Sequence, residues 1–245
     1  MTRFYLLAIF ALFCLQGNDL WAKTKEGPSA NELKAAEAVV RNSGSGNTRV
    51  TIKTSMGKIE VMLYDETPLH RDNFIRHVEN GTYTGVLFHR VINGFMIQAG
   101  DPTSKMSLYT AVYGANDAGD PVPAEIRGNL FHHTGALAAA REGDDTNPER
   151  KSSGSQFYIV SRQVQTDSTL NARMEQMGVI IPPERAEVYK TLGGAPHLDG
   201  GYTVFGRVTK GQKVVDRINR AATDSRDRPR RDIYIKEARV HQSRR

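Results

Sequence analysis

The chain has 245 residues, 39% of them hydrophobic and 24% charged, with a net charge of +6 at pH 7 and one cysteine. Valine, isoleucine, leucine and aromatic residues recur throughout, which excludes a disordered chain and leaves an ordinary globular one. The cysteine is Cys14, so disulfides and thiolate metal sites are excluded from everything beyond it.

The first element is a leader. Arg3, an apolar run from Phe4 to Leu15 and a small residue, Ala22, predict a secretory signal peptide over residues 1–22. The run falls short of the roughly 20 apolar residues a membrane span needs, and Phe13 is too bulky for a lipid-attachment site at Cys14. The expected location is therefore exported and periplasmic, with no stable membrane insertion after cleavage. Residues 23–48 follow as a lead segment. Ser29 and Glu32 have the spacing of a capping box before a helix over Ala30–Arg41, and NSGSGN reads as a flexible linker.

The working domain is predicted over residues 49–242. RVTIKTS and KIEVMLY alternate apolar and polar residues around a turn containing Gly57, which predicts an antiparallel hairpin with one buried face. Thr67 is placed to cap a helix with Pro68 in its first turn, an apolar stripe of Phe74, Ile75 and Val78, and a stop at Gly81. GVLFHRVI, GFMIQAG, TGALAAAR, GSQFYIVSR and YTVFGRV read as further strands. GQKVVDRINRAA then reads as a second helix and DIYIKEARV as a last strand. Residues 164–194 break the rhythm and predict a helical insertion, with helix near Leu170–Met177 and another from Pro183 toward Gly193. The loop SRDRPRRD carries four arginines, but Asp224, Asp227 and Asp232 flank and interleave them. It reads as a solvated loop, and no nucleic-acid partner is expected. Many short antiparallel strands with two main helices predict a mainly β fold, a closed β-barrel with helices over its open ends.

The usual catalytic kits are missing. There is no nucleophile elbow around Gly154-Ser155-Gln156 and no phosphate loop. His132 and His133 are adjacent, so on a strand they point to opposite faces and cannot share a metal. No metal or cofactor is expected, and a metal-dependent hydrolase built on these histidines is disfavoured. What stands out is FHRVINGFMIQAGD, residues 88–101, an apolar stretch that holds a guanidinium and an amide. A two-residue turn at Asn93-Gly94 would put Arg90 and Gln98 on opposite faces. A three-residue loop, Asn93 to Phe95, pairs Arg90 with Gln98 and sets Arg90, Met96 and Gln98 on one face. One reaction needs only such a surface. Rotating an Xaa-Pro amide breaks C–N resonance over a barrier of about 20 kcal/mol, and the twisted prolyl nitrogen gains a lone pair that a guanidinium can meet.

FHRVINGFMIQAGD, GSQFYI, LDGGYTVFGRV and TPLHRDNF, placed along the chain in the family's order and spread over about residues 49–240, resemble the cyclophilin-type peptidyl-prolyl isomerases. The resemblance implies an eight-stranded antiparallel barrel with a helix at each end, with Arg90 as catalytic arginine and Gln98 as its partner. It implies a proline pocket of Phe95, Met96, Tyr158 and Leu198, with Gln156 facing the peptide backbone and Ala140 at a small position beside the substrate strand. Tyr202 aligns where the family often has histidine and is counted as substrate-binding. Three other positions depart from the family pattern: Tyr158 stands where phenylalanine is usual, Arg141 where asparagine is frequent and His197 where tryptophan is frequent. The implied activity is cis–trans isomerisation of Xaa-Pro bonds in unfolded or partly folded proteins, by a monomer. The rival reading is a proline-peptide binding module or holdase with incidental catalysis.

Overall fold

The computed structural model describes residues 27–108 and 110–242, so the predicted signal segment lies outside the described residues. Helix α1 (Ala30–Ser43) precedes β1 (Thr48–Thr54), β2 (Gly57–Leu63), α2 (Pro68–Glu79), β3 (Arg90–Ile92) and β4 (Met96–Ala99). Then come β5 (Ala136–Ala139), β6 (Phe157–Val160), α3 (Asp167–Met177), α4 (Pro183–Thr191), β7 (Val204–Lys210), α5 (Gln212–Asn219) and β8 (Ile235–Gln242). No helix among the described residues is long and apolar enough to cross a membrane.

The eight strands make one antiparallel sheet in the order β3-β4-β6-β5-β7-β2-β1-β8. The sheet curls but does not close, which corrects the expected closed barrel. Its two edges are β3 and β8, and no ladder joins them. β3 is only three residues long, and the amide of its central Val91 bonds to Asp227 O in the loop before β8 (2.8 Å). Contact between the edges is left to the irregular stretch ahead of β3. Phe88 N bonds Ile233 O, Gly85 N bonds Ile235 O, and Leu87 and Tyr234 form an isolated bridge.

Side chains alternate across a strand, and here both faces of the central strands are covered. Ile97, Ala99, Leu137, Ala139, Phe157 and Ile159 point into the curl, where Val50, Ile52, Ile59, Val61 and Phe205 meet them. Met96, Ala136, Ala138, Tyr158 and Val160 point outward and form a second cluster with Tyr64, Leu130 and Val204. The hairpin that looked chemically unusual therefore shows its odd residues on the outer face, while its alternate residues build the core.

Helices close the two ends of the curl. At one end α5 lies over the β1–β2 turn, where Arg217 bonds Met56 O, and over the β3–β4 loop through Asn219. At the far end of β2 the chain enters α2, whose Phe74 packs on Tyr83, Phe157 and Phe205 with ring centroids 5.0 to 5.4 Å apart. Thr67 precedes α2 but makes no side-chain cap bond, contrary to expectation. The carboxylate of Glu125 takes that place, accepting from the amides of Leu69 (3.2 Å) and His70 (2.9 Å) and from His70 Nδ1 (2.7 Å). An anion at a helix N-terminus satisfies its free amides and its dipole better than a hydroxyl does.

The lead helix does not stand apart. Ala36 and Val40 of α1 pack with Leu170 of α3, Val188 and Tyr189 of α4, Ile181 and Phe131. The stretch read as a linker completes α1 and is then bonded down, with Ser45 N on Glu66 Oε1 (3.0 Å) and Asp65 N on Ser45 O (2.8 Å).

Candidate active site

The β3–β4 hairpin takes the three-residue alternative. Arg90 pairs with Gln98, Val91 with Ile97 and Ile92 with Met96. Gly94 sits in its loop at φ +73°, a conformation that costs glycine nothing. A buried residue of α5 locks the loop. Asn219 accepts from Gly94 N (2.7 Å) and donates to Ile92 O (2.7 Å) and Met96 O (3.2 Å). Sequence reading missed Asn219, because nothing local marks a helix asparagine as the anchor of a loop 125 residues earlier. Asn219→Ala should destabilise the fold by about 2 kcal/mol, since it leaves buried main-chain groups unpaired. A shift of the urea midpoint with an unchanged m-value checks this, and a midpoint within error of wild type would contradict it.

Beyond the loop, an open groove of about 320 Å³ is lined by Arg90, Phe95, Met96, Gln98, Ala140, Arg141, Tyr158, Leu198 and Tyr202. Eight of these nine were proposed from the sequence. Met96 and Tyr158 are buried and make the floor, with Phe95, Leu198 and Tyr202 half-buried around it. Phe95 packs against the ring of His197, centroids 5.1 Å apart, where the family often has tryptophan.

Arg90 stands at the exposed rim. Its Nη1 donates to Gln98 Oε1 at 3.5 Å and its Nε lies 3.6 Å from Asp227 Oδ2. Asp227 belongs to the loop read as solvated, so that loop in fact forms part of the rim. It also buries Arg228, which donates to Leu108 O (2.8 Å). Gln98 in turn donates to Gln156 Oε1 (3.0 Å), and Gln156 Nε2 donates to Gly114 O (3.0 Å) and Asn116 O (3.1 Å). Gln156 is therefore behind Gln98 and outside the groove lining, not at the groove surface where it was expected. Both of its donors are spent on the main chain. The backbones of β4 and β6 can approach this closely because residue 100 is glycine. A Cβ there would come 2.6 Å from Gln156 Cα, at a φ of +110°.

Arg141 enters the lining from the other side, its guanidinium carbon 4.5 Å from the centroid of the Tyr202 ring. Nε donates to Gly201 O (2.7 Å), and Nη1 donates to Glu142 O (2.8 Å) and pairs with Asp144 Oδ1 (2.6 Å). The groove thus has an apolar floor between two guanidiniums, each balanced by an aspartate outside it. His132 and His133 part company, as their adjacency implied. His132 bonds Asp199 and Tyr158, whereas His133 Nδ1 bonds Thr134 O. Among the described residues no group of three or more His, Cys, Asp or Glu side chains is placed to hold a metal ion. The arrangement offers a fixed hydrogen-bond donor beside a small apolar pocket.

Residues 49–240 match the family described as cyclophilin type peptidyl-prolyl cis-trans isomerase/CLD. A Staphylococcus saprophyticus protein, provisionally named a peptidyl-prolyl cis-trans isomerase, is 37% identical over 71% of this chain and 81% of its own length. One from Staphylococcus haemolyticus with the same provisional name is 34% identical over 76% of this chain and 88% of its own. Among solved structures, a Cryptosporidium parvum cyclophilin type peptidyl-prolyl cis-trans isomerase superposes with a TM-score of 0.58 at 24% identity, covering 80% of this chain and 99% of that one. A second crystal of it, with the dipeptide Ala-Pro present, gives 0.57 at 23%. These two support the fold.

Proposed function

The chain belongs to the cyclophilin-type peptidyl-prolyl cis-trans isomerases, and we propose that it accelerates rotation about Xaa-Pro bonds in unfolded or partly folded proteins by stabilising the twisted amide with Arg90. The observation that carries this reading is a guanidinium held by Gln98 at the rim of an apolar groove. The proline ring rests on Met96, Phe95, Tyr158 and Leu198. As C–N resonance is lost, the prolyl nitrogen becomes pyramidal and basic, and an Arg90 N–H meets a lone pair that the planar ground state lacks. Gln98 and Asp227 hold the guanidinium from two sides, so little reorganisation is left for the moment of rotation. No bond to the protein forms and no proton leaves the substrate.

We place the action outside the cytoplasm, in the periplasm, on the leader over residues 1–22; intact mass of the exported protein tests cleavage after Ala22. The isomerase reading is tested with a short peptide carrying Ala-Pro, followed by NMR exchange spectroscopy. Uncatalysed interconversion takes tens of seconds or more, and catalytic amounts of protein should bring exchange into the sub-second range. Broadened lines without faster exchange would replace the enzyme with a proline-peptide binder.

A further inference from the structure

Tyr158 brings a hydroxyl to the groove floor, and a buried polar chain runs from it to the insertion. Tyr158 Oη lies 3.0 Å from His132 Nε2, and His132 Nδ1 lies 2.8 Å from Asp199 Oδ1. The same carboxylate oxygen accepts the amide of His132 (2.9 Å), and Oδ2 accepts the hydroxyl of Tyr189 on α4 (2.5 Å). His132 is 1% exposed, Tyr158 5% and Tyr189 0%. Asp199 directly follows Leu198, a wall residue of the groove.

The directions of these bonds follow from the groups. A carboxylate only accepts, so His132 Nδ1 carries the proton that it gives to Asp199. In the neutral ring Nε2 is then the acceptor, and the Tyr158 hydroxyl donates to it. Burial holds the Tyr158 phenol well above its ordinary pKa, so it keeps the proton it donates. The hydroxyl is drawn away from the groove and satisfied, and the floor is left as ring carbon.

We infer that His132 and Asp199 are positioning residues that fix the Tyr158 ring under the bound proline, and that Tyr189 makes the inserted helix part of that brace. This rests on the reading of the groove as a proline site. A tyrosine at this position needs such a partner. With no acceptor, a buried phenol leaves its donor unpaired or turns into the groove, and either one disturbs the floor on which proline rests. Because the ring supports proline in both ground and transition states, the loss should fall on KM and not on kcat.

The experiment is a double-mutant cycle on the purified protein, reading kcat and KM by exchange spectroscopy and peptide Kd from the same titrations. His132→Leu should raise KM and Kd about five- to tenfold, with kcat within about twofold of wild type. In a Tyr158→Phe background, where no hydroxyl needs an acceptor, the same change should add less than about twofold. His132→Gln, whose carbonyl accepts from the phenol while its amide donates to Asp199, should restore most of the loss. An equal effect of His132→Leu in both backgrounds, or a loss confined to kcat, overturns the inference. Should His132→Leu fail to fold, Tyr189→Phe decides, since it deletes one hydroxyl and keeps the packing. A rise of about threefold in KM and Kd supports the brace, and unchanged values overturn it. Absence of catalysed exchange in the wild type would strike the isomerase reading alone, because the Kd cycle still measures the coupling.

Discussion

Replacing Arg90 by alanine should slow catalysed exchange by about two orders of magnitude, the usual effect of removing one preorganised transition-state donor. The loss should appear in kcat and in kcat/KM alike. In the proposed mechanism the nitrogen lone pair that Arg90 meets does not exist in the planar amide, so ground-state binding has little to lose. Stability should hardly change, because the side chain is 46% exposed and its link to Asp227 is a rim ion pair at 3.6 Å. Pairs of that kind contribute about 0–1 kcal/mol at most. Arg90→Lys should fall between wild type and alanine. It keeps the charge, but a compact ammonium cannot both face Asp227 and Gln98 and still aim a donor at the substrate. Saturating-peptide NMR on the three proteins, with urea curves to confirm folding, separates these effects. An undiminished rate in the alanine variant would remove the mechanism, and a loss confined to KM would make Arg90 a binding residue only.

The hairpin that carries Arg90 was readable because strand periodicity leaves two choices around Asn93-Gly94, and only one brings the guanidinium to Gln98. The groove-lining residues were readable for a different reason. They lie in motifs that a family resemblance orders, so Leu198 and Tyr202 could be named though they lie some hundred residues from the hairpin. Closure of the barrel was not readable. It depends on whether β3 runs long enough to meet β8, and the stretch GVLFHRVI looks equally strand-like whether it forms a ladder or bends away. Side-chain partners over long distances were lost in the same way. Thr67 has the right chemistry for a cap, yet Glu125 occupies the site. Gln156 has the right chemistry for substrate, yet two main-chain carbonyls already hold it. The arginine-rich loop looked solvated because aspartates are interleaved with its arginines, and those same aspartates let Arg228 be buried against Asp232 and Asp227 reach Arg90.

Acid should destabilise this protein well above the carboxylate range, and two buried histidines set the window. His89 lies 4% exposed beside Arg90, and neither ring nitrogen has a hydrogen bond of ordinary geometry among the described residues. Burial pushes it down to about 4, against the opposing pull of Asp101. His133 is 2% exposed with Nε2 unpaired, and burial pushes it down to about 4 as well. In the unfolded chain both titrate near 6.5. The folded values are the lower ones, so the unfolded state takes up protons first as pH falls. The stability these groups allow is complete above about pH 6.5 and is lost progressively down to about pH 4. Linkage puts the loss near 2 kcal/mol per histidine by pH 5, or a slope of about 2 kcal/mol per pH unit near pH 5.5 for the pair. Burial lowers His70, His77 and His197 in the same direction, so the true slope should be no shallower. Carboxylates titrating near 4 add to the loss only lower down. Urea unfolding at pH 7.5, 6.0 and 5.0 reads the slope, and His89→Leu and His133→Leu should each remove about half of the pair's share. A flat profile over that range would mean that the two rings are solvated in the folded protein. Because His89 precedes Arg90 and packs beneath the Gly114 loop that holds Gln156, a slope that falls in His89→Leu would place part of the acid sensitivity directly under the Arg90 rim of the groove.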